Sequence, residues 1–234
     1  MIQGGKIKLI LGPMFSGKST RLVETVRKYT YKNKKTVLVN FIDDKRYSEN
    51  SQIVTHDLNK YDSLSCKMLG EIYDIIKNYD VIGIDEGQFY SDVVNISEKL
   101  AYNGKIVIIA ALSGNFKMEP FETVSKLISK ADKIKLMKAY CFYCQRTAGF
   151  SLRTVCSDQE ILIGAGEAYR PVCKKCYYKY SNIKHDFLED VVKEEINIFS
   201  SGKKEEKSND KNEFLNSEGK TNKDSNSSSD SISI

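Results

Sequence analysis

Apolar runs alternate with amphipathic segments of helical length along the first 140 residues. The first run, KIKLILG at residues 6–12, predicts a strand buried on both faces, because such strands are apolar without alternation. After a short turn, residues 18–32 carry apolar side chains at helical spacing. The same alternation then repeats along the chain. Further strands are predicted at 35–43, 80–86, 105–113 and 132–140, and helices at 69–79, 91–105 and 119–131.

Strands separated by helices predict an α/β fold, with a parallel sheet covered on both faces. We expect this domain at residues 1–140. Residues 141–192 form a second predicted unit, with two close cysteine pairs, a Gly/Ala-rich segment and a helix-like segment near its end. From about residue 200 to 234 the chain is mostly Lys, Asn, Ser and acids, a composition that cannot bury enough apolar surface to fold. This tail is predicted to be disordered.

The loop after the first predicted strand has the sequence GPMFSGKS. It fits the phosphate-binding pattern G-x-x-x-x-G-K-[ST] and has the strand before it and the helix after it that this motif requires. Its backbone N–H groups and the helix N-terminus would surround phosphates, the lysine would reach the outer phosphates, and the last serine would help to hold Mg²⁺. The predicted nucleotide-binding residues are Gly12, Pro13, Met14, Phe15, Ser16, Gly17, Lys18 and Ser19.

Two adjacent carboxylates, Asp85 and Glu86, end the predicted strand at 80–86. In phosphate-loop proteins an acidic residue at the end of a neighbouring strand holds Mg²⁺, and Asp85 has this position. Glu86 should enter the same crevice, because ligands collect at the carboxyl ends of such strands. It would either orient water in an ATPase or accept the proton of an attacking alcohol in a kinase. The pair alone leaves both roles open.

Two C-x-x-C pairs, Cys141/Cys144 and Cys173/Cys176, have the spacing of a tetrahedral zinc site. The pattern offers no open ligand position, so the predicted zinc is structural. Binding all four thiolates would hold both ends of the segment between the pairs. We expect this segment to form a lid over a small substrate.

Composition limits the remaining classes of function. The net charge of +5 suits an anionic ligand but is too small to indicate a nucleic-acid partner. The longest apolar runs fall short of a membrane helix, and the N-terminus does not resemble a signal peptide. We therefore expect a cytoplasmic protein with no membrane partner.

Several segments together resemble the cellular-type (type II) thymidine kinases. They are GPMFSGKST, RYS with THD, VIGIDEGQFY, and the cysteine pairs flanking IGAGEAYRPVC, and the resemblance covers about residues 6–180 in order. It implies a RecA-like P-loop domain and a small zinc domain carrying a lasso loop. It also implies phosphoryl transfer from ATP, with Mg²⁺, to the 5′-hydroxyl of thymidine, and also of deoxyuridine, in nucleotide salvage. Feedback inhibition by dTTP and a homotetramer are further implications.

The resemblance also assigns roles to individual residues. It implies that Glu86 is the catalytic base, that Asp85 and Ser19 hold Mg²⁺, and that Arg46 offsets charge on the transferred group. Phe116 would pack on the thymine, while the lasso backbone and Tyr169 would contact the base. The additional ATP contacts implied are Asp44, Lys45, Arg46, Asp85, Glu86, Gly87 and Gln88. The implied substrate contacts are Met14, Phe89, Leu112, Phe116, Ser151, Glu160, Ile161, Leu162, Ile163, Gly164 and Tyr169.

Two positions depart from the family pattern. Ser113 stands where an Asp is expected, and Ser151 replaces a Thr, which removes a methyl group worth about 1 kcal/mol in selectivity. An alternative function is a RecA-like ATPase whose zinc ribbon grips nucleic acid. Few basic residues lie between the cysteine pairs, which argues against that alternative.

Overall fold

The computed structural model describes residues 4–42, 52–54, 60–155 and 168–181. All of these belong to one compact unit of the chain, residues 1–183. The strands are β1 (Lys6–Gly12), β2 (Thr36–Phe41), β3 (Gln52–Val54), β4 (Lys60–Asp62), β5 (Leu64–Cys66), β6 (Val81–Ile84), β7 (Ile106–Leu112), β8 (Lys133–Leu136), β9 (Ala139–Tyr140), β10 (Thr147–Ala148), β11 (Phe150–Arg153) and β12 (Tyr169–Val172). The helices are α1 (Lys18–Thr30), α2 (Tyr73–Ile76), α3 (Val93–Tyr102), α4 (Glu122–Ile128) and α5 (Lys174–Tyr180), with 3₁₀ helices at Leu69–Ile72 and Gly87–Phe89.

A six-stranded sheet forms the centre of this unit, in the order β5-β2-β6-β7-β1-β8. Every pairing within it is parallel, which confirms the predicted α/β class. β7 lies between β1, which leads into the phosphate loop, and β6, which ends at the carboxylate pair. This strand order, together with the phosphate loop, is that of a RecA-like P-loop domain.

Successive residues of the central strands enter different apolar layers, as the two-residue period of a strand requires. Leu9 and Leu11 join the cluster that contains residues of α3 and α4, whereas Ile10 joins the cluster built on α1. Gly83 allows α1 to lie close to β6, because a Cβ at Gly83 would lie 2.7 Å from Cγ2 of Val26 in α1. The sheet is therefore covered on both faces, and α1 is fixed against the strand that carries Asp85.

Some predicted elements differ from the observed ones. The helix predicted at 69–79 is a 3₁₀ helix followed by the single turn of α2, and the strand predicted at 132–140 is divided into β8 and β9. β9 pairs with β10 outside the main sheet, so the chain leaves the sheet near residue 137. β5, which the apolar pattern did not predict, pairs with β2 at the sheet edge.

Two antiparallel ribbons, β9–β10 and β11–β12, carry the cysteine pairs together with α5. They share an apolar cluster that is separate from those of the sheet. The division into domains at residue 140 stays a prediction. Among the helices in the described part of the chain, none combines the length and the apolar character needed to cross a membrane.

Candidate active site

The phosphate loop is tightly curled between β1 and α1. Phe15 and Gly17 have left-handed backbone angles, with φ of 61° and 77°. The Pro13 carbonyl accepts hydrogen bonds from both Ser16 Oγ and Lys18 Nζ, each at 2.8 Å, and both donor residues are buried. The loop thus holds its lysine at the N-terminus of a thirteen-residue helix, where N–H groups and the helix dipole favour an anion.

The two carboxylates follow β6 and are both buried, with 6% of Asp85 and 7% of Glu86 exposed. The Asp85 N–H donates to the Val39 carbonyl at 2.8 Å, which continues the pairing of β6 with β2. Asp85 Oδ1 accepts the Glu86 N–H at 3.1 Å, and Glu86 has a left-handed φ of 52°. This sharp turn brings the second carboxylate to the carboxyl edge of the sheet. The phosphate loop leaves β1 at the same edge, because the strands are parallel.

Gln88 connects the second carboxylate to the neighbouring strand. Its Nε2 donates to Glu86 Oε2 at 2.5 Å, and its Oε1 accepts the Leu112 N–H at 3.0 Å. Gly87 allows this turn to lie close to β7, because a Cβ at Gly87 would lie 2.4 Å from Ile109 Cγ2. The resemblance implied ATP contacts for Gly87 and Gln88, which stay predictions. In the structure both residues pack the Glu86 turn against β7.

The predicted apolar substrate contacts lie at several places around this edge. Phe89 is half-buried, with its ring centroid 5.4 Å from that of Phe41, and packs against the main apolar cluster. Met14 is buried in the phosphate loop, and Leu112 is half-buried at the end of β7. Ser113 is exposed and its N–H donates to the Gly12 carbonyl at 3.2 Å. Their contacts with a nucleoside remain predictions.

Ser151, on β11, contacts the phosphate loop directly. The Met14 N–H donates to Ser151 Oγ at 2.9 Å, and both residues are buried. The resemblance placed Ser151 on the wall facing the thymine methyl, which the structure leaves as a prediction. The observed contact joins the cysteine-bearing ribbons to the loop expected to hold phosphate.

Phe116, in the loop after β7, is held by two residues of the cysteine-bearing region. The Tyr177 hydroxyl donates to the Phe116 carbonyl at 2.6 Å, and burial raises the pKa of Tyr177 to about 12, so the donor keeps its proton. The Arg153 guanidinium carbon lies 3.6 Å from the Phe116 ring centroid. Arg153 also donates to the Tyr169 hydroxyl at 3.0 Å. The Arg153 guanidinium thus contacts both Phe116 and Tyr169, which are two of the predicted base contacts.

Arg153 was not among the predicted site residues. It is the cross-strand partner of Tyr169 in the β11–β12 ribbon. Sixteen positions separate the two in sequence, and no local pattern reveals that register. Only the spacing of the cysteine pairs could have suggested that these segments return to each other.

The four cysteines form one cluster, with their sulfur atoms all within 4.8 Å of one another and Cys144 Sγ 3.6 Å from Cys173 Sγ. Four zinc-bound thiolates at a Zn–S distance of about 2.3 Å require sulfur separations of about 3.8 Å, so the cluster fits zinc. The Arg146 side chain, hydrogen-bonded to Cys144, lowers the pKa of that thiol to about 6. Burial raises the pKa of Cys176 to about 12.

Two groups of predicted site residues lie outside the described residues. The first is Asp44, Lys45 and Arg46, the predicted charged contacts near the phosphates. The second is the predicted lasso segment, Glu160, Ile161, Leu162, Ile163 and Gly164.

Most of the chain is similar to proteins described as thymidine kinases. The family model described as thymidine kinase matches residues 5–177. Thymidine kinase 1 of Dictyostelium discoideum is 47% identical over 181 residues, covering 76% of this chain and 80% of that protein. Thymidine kinase of Sheeppox virus (strain KS-1) is 43% identical over 174 residues, covering 74% and 97%. Among solved structures, flagellar accessory protein FlaH from Methanocaldococcus jannaschii aligns with a TM-score of 0.40 and 12% identity, covering 68% of this chain and 76% of that one.

The bond from Tyr177 to Phe116 makes a testable contribution to stability. Tyr177→Phe keeps the buried ring but removes the donor to the Phe116 carbonyl, so we expect the free energy of unfolding to fall by about 0.5–1.5 kcal/mol. Urea titration at constant zinc concentration measures this change. Tyr102→Phe is the matched control, because Tyr102 is 86% exposed. Equal free energies for the two variants would show that the bond contributes nothing.

Proposed function

This chain belongs to the thymidine kinase family, and on that basis we propose that it transfers the γ-phosphoryl group of ATP to the 5′-hydroxyl of thymidine. The observation that carries the proposal is the joint burial of Lys18, Asp85 and Glu86 at one edge of the sheet. The family match includes all three positions. A buried cation and two buried carboxylates are costly unless partners or ligands offset them. The phosphates of a bound nucleotide would offset the charge of Lys18, and a Mg²⁺ ion bound to those phosphates would offset the charge of the carboxylates.

The reaction assigns a separate task to each of these residues. Lys18 and the loop N–H groups would hold the outer phosphates and offset their charge. The Asp85 carboxylate and the Ser19 hydroxyl would hold Mg²⁺, which would supply further charge stabilisation. Both are oxygen donors, which Mg²⁺ prefers. The 5′-hydroxyl oxygen of thymidine would attack the γ-phosphorus, and ADP would leave. Glu86 would accept the proton that this hydroxyl loses. The products would be dTMP and ADP.

The cysteine-bearing region would shape the nucleoside site. We propose that zinc bound by the four thiolates fixes the ribbons from which Arg153 and Tyr169 extend. Arg153 would then keep Phe116 in place for stacking on the thymine. A lasso between the cysteine pairs would exclude water, which would otherwise compete for the γ-phosphoryl group. The family also supports three finer proposals: deoxyuridine as a second substrate, dTTP as a feedback inhibitor, and a homotetramer.

Labelled ATP with Mg²⁺ and a panel of nucleosides tests this function. We expect phosphorylation of thymidine and deoxyuridine, and little phosphorylation of deoxycytidine or deoxyguanosine, because the site is proposed to read the thymine base. ATP turnover without nucleoside, and without any monophosphate product, would instead support the ATPase alternative. Thin-layer separation of labelled products distinguishes these outcomes.

Replacing the proposed base tests the chemical step. Glu86→Gln keeps the side-chain size but cannot accept the proton, so we expect kcat to fall by about 10²–10⁴. The KM for ATP should change by less than about twofold, because the phosphate loop, Lys18 and Asp85, which would hold most of the nucleotide, are unchanged. Steady-state kinetics with varied thymidine and ATP measure both constants. Glu122→Gln, an exposed residue of α4, is the control. A kcat equal to that of the wild type would remove Glu86 as the base.

Zinc can be tested separately from catalysis. Cys173→Ser removes one of four thiolates, so we expect the purified protein to lose most of its zinc and to melt at a lower temperature. Metal analysis and thermal unfolding measure the two effects. Cys66→Ser changes a buried thiol at the edge strand β5 and should retain zinc. Full zinc occupancy in Cys173→Ser would contradict the proposed ligand set.

A further inference from the structure

Gln88 is buried beside Glu86, and its Nε2 donates a hydrogen bond to Glu86 Oε2 at 2.5 Å. Only 5% of Gln88 is exposed. We propose that Gln88 is a positioning residue, which aims the Glu86 carboxylate at the substrate hydroxyl. This inference rests on the proposed role of Glu86 as the base.

The first argument is that both ends of the Gln88 amide are held by the protein. Its carbonyl oxygen accepts the Leu112 N–H at 3.0 Å, so the side chain is fixed to the end of β7. An amide fixed by its oxygen presents its N–H groups in a defined direction. The Leu112 backbone thereby determines where Gln88 places Glu86 Oε2.

The second argument comes from the backbone of the same turn. The backbone of Glu86 is in the left-handed region, where a residue other than glycine is uncommon and needs support from its surroundings. Its N–H is bound by Asp85 Oδ1, and its carbonyl accepts the Phe89 N–H at 3.0 Å. The main chain of Glu86 is therefore fixed, but these bonds do not restrict its side-chain torsions. The Gln88 bond acts on the side chain itself, because it holds Oε2.

The third argument is chemical. A carboxylate has two oxygens, so holding Oε2 from one side orients Oε1 as the second acceptor. An amide donor is suited to this task, because it does not ionise and cannot take the proton that Glu86 accepts. Catalysis of phosphoryl transfer consists mainly of positioning and charge stabilisation. A carboxylate released from Gln88 would lose this restraint on Oε2 and be aligned for a smaller fraction of the time.

Gln88→Met tests the inference, because methionine has a similar length and neither a strong donor nor a strong acceptor. We expect kcat to fall by about 10–100-fold, while the KM values for ATP and thymidine change by less than about twofold. Gln88→Asn is the second variant. It keeps the amide but shortens the side chain by a methylene, so it cannot hold both partners and should also lower kcat. Thermal unfolding verifies that both variants are folded.

A double-mutant cycle separates positioning from general support of the fold. If Gln88 acts through Glu86, adding Gln88→Met to Glu86→Gln should change kcat by less than about twofold, because the base is already absent. A merely structural role would lower kcat equally in both backgrounds and would overturn the inference. Wild-type kcat in folded Gln88→Met and Gln88→Asn would overturn it as well.

The same cycle identifies which of the two proposals fails. A large loss of kcat in Glu86→Gln together with unchanged Gln88 variants would leave the base in place and remove only the role of Gln88. Wild-type kcat in Glu86→Gln would remove the base itself and, with it, the inference about Gln88.

Discussion

The candidate site depends on strand β7 and on the hydrogen bonds that it makes to both of its neighbours. β1 pairs with one edge of β7 up to Leu112, and β6 pairs with the other edge up to Ile109. The phosphate loop and the carboxylate pair are thereby placed about two strand spacings apart, roughly 10 Å. The end of β7 also binds both sides, since the Leu112 N–H reaches Gln88 and the Ser113 N–H reaches Gly12. A displacement of this strand end would therefore move the groups proposed to bind phosphate and the group proposed to accept the proton together.

The cysteine-bearing ribbons act on this edge through two specific contacts. Ser151 accepts the N–H of Met14 in the phosphate loop, and Tyr177 donates to the carbonyl of Phe116. Tyr177 directly follows the last cysteine of the cluster and is fully buried. Zinc held by the four thiolates, as we propose, would therefore fix the residues that contact the proposed ATP and nucleoside sites, rather than stabilise a separate module alone.

The charges of the site are paired with fold elements that hold them in place. Lys18 and the Asp85/Glu86 pair are all less than one-tenth exposed, although burying charge is costly. The Pro13 carbonyl, the Glu86 N–H and the Gln88 amide offset part of this cost. Such groups are already oriented before substrate binds, so little reorganisation is required during the reaction. Preorganisation of this kind is what phosphoryl transfer demands.

Much of this protein could be predicted from its sequence by itself. The strands β1, β2, β6 and β7, the phosphate loop, Asp85 with Glu86, and the cysteine set follow from local patterns of apolar, glycine and ligand residues. Their physical basis is local, because the periodicity of buried positions and the spacing of motif residues are both defined within a few residues of sequence. Only the tertiary structure decided the strand order, the placement of Arg153 on Phe116, and the bond from Gln88 to Glu86. The strand order and the contact of Arg153 with Phe116 depend on the register and close approach of segments that are distant in sequence. The bond from Gln88 to Glu86 depends on a left-handed turn that is packed against β7.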